Sequence, residues 1–361
     1  MTMRVGSEVM TYRASPATTG VPRVMKETHR HLTPLLAKPG WELVPVATSE
    51  RSEYPGTEPN AYISSDPVLR LPLMSPEDVD VLLLIQASTT IDYARLLRIR
   101  RERDLPIIAM IHDIMPLTQP EWFVPQGSLN FRVMCQQILH VADHVIVPSQ
   151  HVADGLTALQ WSTDAQVHVM RLGTSFDQQP PHQTPGDVIQ LVYVSTIEPR
   201  KGHHQLLDAF DALRAQGVDL TLTLVGRKGW CVDDLVTRIS GHDEFGLSVR
   251  WVPDADDHEA RTIVEGCSVA VIPTEDEGFG LFLEEALCAG VMVVARDIPV
   301  FRERPYPNVV FFDGNEQTLP EAILRAASLT PQPIAPGEVR TMRDFSDDLA
   351  DLIVSTVAQQ T

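Results

Sequence analysis

No apolar run approaches the roughly 18 residues that a membrane-crossing helix needs, and the opening MTMRVGSEVMTYR lacks the basic-then-apolar order of a secretory leader. Neither a membrane span nor a secretory signal is expected, so the chain reads as cytoplasmic, with peripheral contact at the inner membrane face left open. Cysteine is sparse. Cys135, Cys231, Cys267 and Cys288 lie far apart without metal-ligand or redox spacing, which points to reduced, mostly buried thiols. Basic charge is short: 29 Lys and Arg against 48 Asp and Glu leave a net charge of -19, which argues against nucleic acid as a partner. No Gly-x-Gly-x-x-Gly turn follows an early strand, so a NAD-dependent dehydrogenase is not indicated. Metal ligands are also wanting. Asp78-Val79-Asp80 precedes its strand rather than following it, and His203-His204 opens a helix without a third ligand, reading as a solvated turn.

What is present is enough chain for two cores: 361 residues, 43% of them hydrophobic. Charge divides unevenly, with 15 basic and 18 acidic residues through Phe176 and 14 basic and 30 acidic afterwards. In the second half, apolar runs alternate with amphipathic segments: VIQLVYV (188–194), a helix over 203–216, LTLTLV (220–225), a helix near 232–240, SVRWV (248–252), a helix near 256–266, SVAVI (268–272), a helix from about Gly280 and VMVVA (291–295). Such alternation predicts a parallel sheet covered on both faces, with ligands at the carboxyl ends of its strands. The first half repeats the rhythm with MRVGSEVMTY, a helix over 22–37, VDVLLLI (79–85), a helix over 92–103, LPIIAMIH (105–112), a helix over 130–142 and HVIVPS (144–149). The fold class expected is α/β, two Rossmann-like parallel-sheet domains facing a cleft. The divisions expected are 1–176, a proline-rich linker over 177–187, 188–344, and a last helical segment over 345–361 packing back on the first domain.

The stretch TEDEGFGLFLEEALCAG (274–290) sets carboxylates against a tight Gly-Phe-Gly turn that opens a helix. Free N–H groups of a first helical turn cradle phosphate, whereas carboxylates repel it and accept hydrogen bonds from uncharged hydroxyls. A ligand with both phosphate and polyol satisfies both features.

Glu277-Gly-Phe-Gly-Leu-Phe-Leu-Glu-Glu285-Ala resembles the Glu-x7-Glu motif of retaining glycosyltransferases of family 4, which have the GT-B fold. Asp276 and Glu284 share the spacing, but the Gly-Phe-Gly phase selects Glu277 and Glu285. The resemblance implies that Glu277 holds hydroxyls of the donor sugar, that Glu285 holds the ribose, and that backbone groups of Phe279, Gly280 and Leu281 meet the diphosphate. YVSTIEPRKGHHQLLDAF (193–210) is similar to the family's diphosphate-binding segment, which makes Arg200 and Lys201 the candidate cations. Many members carry Gly-Arg earlier in this loop, where this chain has Ser195-Thr196, so Arg200 takes over that role. Gly226 and Arg227 of LVGRKGW, with Val252, match the lining of the nucleotide pocket; Trp230 reads as core. Phe282 stands where many relatives have proline. IIAMIHDIMP (107–116) is similar to the strand ending in His-Asp, which places His112 under the donor sugar with Asp113 beside it, and TTGVPRVMKETHRHL resembles the first glycine loop, with Gly20.

The activity implied is transfer of a sugar, with retention, from a nucleotide-diphosphate sugar to a carbohydrate, lipid-linked or small-molecule acceptor. The donor enters as co-substrate, and neither metal nor cofactor is required. Among donors GDP-mannose ranks ahead of UDP- and dTDP-sugars. A nucleotide-sugar epimerase of the same architecture and a silent nucleotide-sugar-binding subunit are the alternatives. The arginine-rich YARLLRIRRERD (93–104) reads as a solvated helix face, with contact to anionic lipid the less favoured reading.

Overall fold

The computed structural model describes residues 2–9, 20–37, 40–48, 66, 68–182, 188–304, 306–315, 317–335 and 337–359. Met10, Tyr12, the Thr18-Thr19 start of the glycine loop and residues 183–187 of the linker lie outside them. The chain divides into two compact units, one of Met1–Thr118, Pro125–Gly173 and Thr341–Thr361, the other of Gln119–Val124 and Thr174–Arg340.

The first unit runs β1 (Met3–Glu8), α1 (Val21–Leu36), β2 (Trp41–Val46), β3 (Val81–Leu84), α2 (Tyr93–Arg103), β4 (Ile107–Met110), α3 (Met115–Thr118), α4 (Pro125–Val141), β5 (His144–Val147), α5 (Gln150–Ala158) and β6 (Gln166–Val169). Its sheet has the order β2-β1-β3-β4-β5-β6 with every pairing parallel. Every residue of β3 and β4 is buried, as continuous apolar strands between two helical layers must be. Local chemistry sets the helix ends: the Asp92 carboxylate accepts the Arg95 N–H at the start of α2, and the Ser149 hydroxyl accepts that of Val152 at the start of α5.

The second unit runs β7 (Ile189–Val194), α6 (His203–Ala215), β8 (Leu220–Val225), α7 (Asp233–Ser240), β9 (Val249–Val252), α8 (Asp257–Glu265), β10 (Val269–Ile272), α9 (Leu281–Cys288), β11 (Met292–Arg296), α10 (Pro299–Arg302), β12 (Val309–Phe312) and α11 (Thr318–Ser328). Its parallel order is β12-β11-β10-β7-β8-β9, so the strand order reverses between β7 and β10. In the first unit the reversal lies between β1 and β3. Ligands of open α/β sheets bind outside the strand carboxyl ends at such switch points.

The last helix, α12 (Met342–Ala358), belongs to the first unit and packs on α1. Its start is a reciprocal cap, with the Thr341 hydroxyl taking the Asp344 N–H and the Asp344 carboxylate taking the Thr341 N–H. Phe345, Leu349 and Ile353 recur at every fourth position and are fully buried, each contributing about 1.5–3 kcal/mol of transfer free energy.

Several elements escaped the apolar pattern: β2, α5, β6, β12 and α11. Three of them are sheet-edge strands whose burial is broken: β2 begins with two residues that are not fully buried, β6 is mostly exposed, and β12 alternates. Helix α4 begins at Pro125 rather than near residue 130, because its first turns are largely exposed and show no apolar stripe. Two expectations about aromatic and histidine positions are corrected. His203 is not a solvated residue: it is 1% exposed, its ring 5.0 Å from that of Tyr193 and its Nε2 3.3 Å from the Ser195 hydroxyl. Trp230 is not core; half-buried, it stacks on Phe123 at 5.5 Å and donates its indole N–H to the Trp122 carbonyl.

Candidate functional site

At the second unit's switch point two loops meet, residues 195–202 after β7 and 273–280 after β10. Backbone and hydroxyl groups stitch them together: the Arg200 carbonyl accepts the Glu275 N–H at 2.8 Å and the Thr274 hydroxyl at 3.4 Å, and Thr274 also donates to the Asp276 carbonyl at 3.0 Å. Arg296 holds the base of the second loop, donating to the Pro273 carbonyl and to Gln205 Oε1.

Against this frame lie four charged side chains. Lys201 Nζ stands 2.5 Å from Glu277 Oε1, Arg200 Nη1 is 3.6 Å from Glu277 Oε2, and Arg200 Nη2 is 2.9 Å from Glu198 Oε2. Each of the four side chains is only 8–13% exposed. Burial pushes the Glu277 carboxyl up, but Lys201 and then Arg200 outweigh it and hold the group below its ordinary value, so it is ionised at neutral pH. Each candidate cation therefore faces a carboxylate.

The turn before α9 is shaped by two packing demands. Gly280 caps the helix at φ 81°, and a Cβ there would lie 2.3 Å from Phe301 Cε1, so no other residue fits without displacing a buried ring. Arg304 donates to the Phe279 carbonyl, its guanidinium sits 4.2 Å over the Phe279 ring, and it pairs with Glu284 at 2.6 Å, Glu284 and Arg304 both being almost wholly buried. Tyr306 donates to the same Glu284 carboxylate. Glu284 is thus occupied in holding the turn. Leu281, the first helical residue, begins a turn whose leading N–H groups have no helical partner. Glu285 follows one turn later and is 3% exposed. Phe282 packs 6.0 Å from Tyr193.

The remaining candidates of this unit lie at the ends of β8 and β9. Gly226 (φ 135°) has its close approach to protein rather than to open space, since a Cβ would lie 2.1 Å from the Ser195 carbonyl oxygen. Its N–H bonds the Val252 carbonyl at 2.9 Å, and Arg227, partly exposed, lies 3.7 Å from Asp254.

His112 and Gly20 belong to the first unit. His112 follows β4 and lies 2.7 Å through Nε2 from the Ile85 carbonyl, just past β3. A carbonyl only accepts, so Nε2 carries the proton. Burial pulls the ring down to about 4, which makes it neutral at pH 7 with Nδ1 as acceptor. The Asp113 carboxylate accepts the Met115 N–H. Gly20 caps α1 at φ 67°, and a Cβ there would meet no atom within 4 Å, so conformation rather than crowding selects glycine.

Some polar groups gave no signal in the sequence. Ser7, His29 and Asp66 form a fully buried chain, Ser7 Oγ to His29 Nε2 at 2.8 Å and His29 Nδ1 to Asp66 Oδ2 at 2.7 Å. Arg304 and Thr274 were equally silent, because Arg304 meets Glu284 from 20 positions away and Thr274 meets the Arg200 carbonyl from 74. Among the described residues, no group of three or more His, Cys, Asp or Glu side chains could hold a metal ion, and no helix is long and apolar enough to cross a membrane.

Residues 175–333, which include both loops of this switch point, match the family model for glycosyl transferases group 1. The serotype-specific mannosyltransferase WbdA of Escherichia coli is 30% identical over 226 residues, which cover 57% of this chain and 28% of that protein. The chain thus spans little more than a quarter of the length of that curated relative. Among solved structures, Anabaena HepE in complex with UDP and glucose has a TM-score of 0.64 at 17% identity, covering 99% of this chain and 98% of that one. The apo lipopolysaccharide outer core galactosyltransferase WaaB has a TM-score of 0.61 at 14% identity, covering 99% and 100%. The two parallel-sheet units have the GT-B fold.

Proposed function

We propose that this chain is a retaining glycosyltransferase of family 4 that moves a sugar from a nucleotide-diphosphate sugar to an acceptor hydroxyl. The observation that carries the reading is the convergence at one switch point of Arg200, Lys201, Glu277 and the first turn of α9. In the transfer, the bond from the sugar C1 to the distal phosphate oxygen breaks and the phosphate keeps the electron pair. The acceptor oxygen bonds to C1, and its proton goes to the departing phosphate. Arg200, Lys201 and the leading N–H groups of α9 stabilise the charge that develops there. Glu277 takes hydroxyls of the sugar. The bound cations supply the neutralisation that a metal ion supplies elsewhere, so activity in excess chelator is expected.

GDP-mannose is the favoured donor, supported by the likeness to mannosyltransferase WbdA; the UDP bound to HepE makes a UDP-sugar the runner-up. The acceptor is a carbohydrate, lipid-linked or small-molecule hydroxyl in polysaccharide or glycoconjugate assembly, with the reaction in the cytoplasm. Thermal melting with GDP, UDP, dTDP and ADP, each with and without its common sugars, tests the reading. A rise with one nucleoside diphosphate and its sugar is expected, because a ligand of the folded state raises the melting point. Sugar transfer should then be lost in a folded Glu277→Ala variant. A fully active Glu277→Ala protein, or the absence of any shift, overturns the assignment.

A further inference from the structure

The cations at the switch point are not waiting bare for an anion. Glu198 and Glu277 balance Arg200 and Lys201, so the buried four-group cluster is formally neutral. Lys201 is committed most closely to Glu277, at 2.5 Å, while Arg200 is shared between Glu198 at 2.9 Å and the Asp276 carbonyl at 3.2 Å. A diphosphate set against Lys201 must also stand beside the Glu277 carboxylate. Among side chains this little exposed, like charges at contact distance are poorly screened.

We propose that Glu277 is an exchangeable counter-ion: Lys201 passes from Glu277 to the donor diphosphate, while Glu277 passes from Lys201 to the sugar hydroxyls of the same molecule. An intact nucleotide sugar brings both partners, so neither charge is left uncompensated. The spent nucleoside diphosphate brings only the anion, displaces Lys201 from Glu277 and offers the carboxylate nothing in return. Glu277 therefore makes the site favour the loaded donor over its own product, which assists product release. The inference rests on the function proposed above and adds a role for Glu277 besides holding the sugar.

Calorimetric titration separates the two. Wild type, Glu277→Gln and Glu277→Asp would be titrated with GDP, UDP, dTDP and ADP and with GDP-mannose and UDP-glucose, with the exposed Asp211→Asn as a control for general surface charge. For the nucleoside diphosphate that the wild type binds, Glu277→Gln should bind about 10-fold tighter, and the preference for the matching sugar nucleotide should shrink. Glu277→Asp, which keeps the charge but draws it back from Lys201, should move the same way by less, and it carries the test if the glutamine variant does not fold. Asp211→Asn should match the wild type. If the variants bind the nucleoside diphosphate no tighter than a wild type that does bind it, counter-ion exchange is wrong while the transferase reading stands. If the wild type binds none of the six nucleotides, both fall.

Discussion

The two switch points of this molecule differ in strand order, falling between the first and third strands of one sheet and between the first and fourth of the other, and they differ in the charges set beside them. In the second unit, loops of eight residues each, 195–202 and 273–280, are tied to one another and carry four partnered charges. Among the described residues of the first unit, His112 is held uncharged against the Ile85 carbonyl, and Ser7, His29 and Asp66 close a buried chain from β1 through α1. Parallel sheets thus supply the place for a ligand, and the loops decide its charge. The paired cations lie within residues 175–333, the part of the chain that matches the glycosyl transferase family model.

The comparison can be broken most severely at Arg304. Arg304→Met leaves the buried Glu284 without its guanidinium partner and frees the Phe279 carbonyl, so a loss of about 3–5 kcal/mol is expected by denaturant titration, with nucleotide affinity falling alongside. The counterpart in the first unit is Asp66→Ala, which strips a partner from both His29 and the Val68 N–H; about 1–3 kcal/mol should be lost, with nucleotide affinity unchanged. Equal effects of the two substitutions on nucleotide binding would contradict the division of labour.

Acid should act on both units. Burial lowers His112 to about 4 and His203 to about 3, below the ordinary 6.5, so the unfolded chain takes up these protons first as pH falls. The stability that the neutral rings confer is whole above pH 6.5 and is lost progressively toward pH 4, His203 continuing lower. Denaturation midpoints at pH 7, 6, 5 and 4 should fall in that order; a flat profile would mean that the rings are already solvated. Smallest is the effect of Trp230→Ala, which removes a half-buried stack on Phe123 and one hydrogen bond, costing about 1–2 kcal/mol and loosening the loop that carries Arg227.

Much of this was legible in the residues. LTLTLV coincides with β8 throughout, because its buried leucines recur at every second position, and the helix after Gly280 starts at Leu281, where a glycine in left-handed conformation ends the loop. The edge β6 was not legible, since all four of its residues meet solvent, and β2 was not, since its buried run is only four residues long and contains a proline. Nor was the burial of His203 beside an exposed His204: adjacent residues on a helix point to different faces, and only packing against Tyr193 separates them.

Periodicity and short motifs by themselves determined the alternation of strands and helices, the two-part α/β organisation, and the Gly-Phe-Gly turn with a carboxylate on either side. These are consequences of backbone geometry over a few residues. Tertiary structure alone decided which carboxylate faces which cation: that Glu284 is consumed by Arg304, twenty positions away, and that Glu277 meets Lys201 from a loop 76 positions earlier. Charge pairing acts through space and through the local dielectric, and neither is a property of neighbours in the chain.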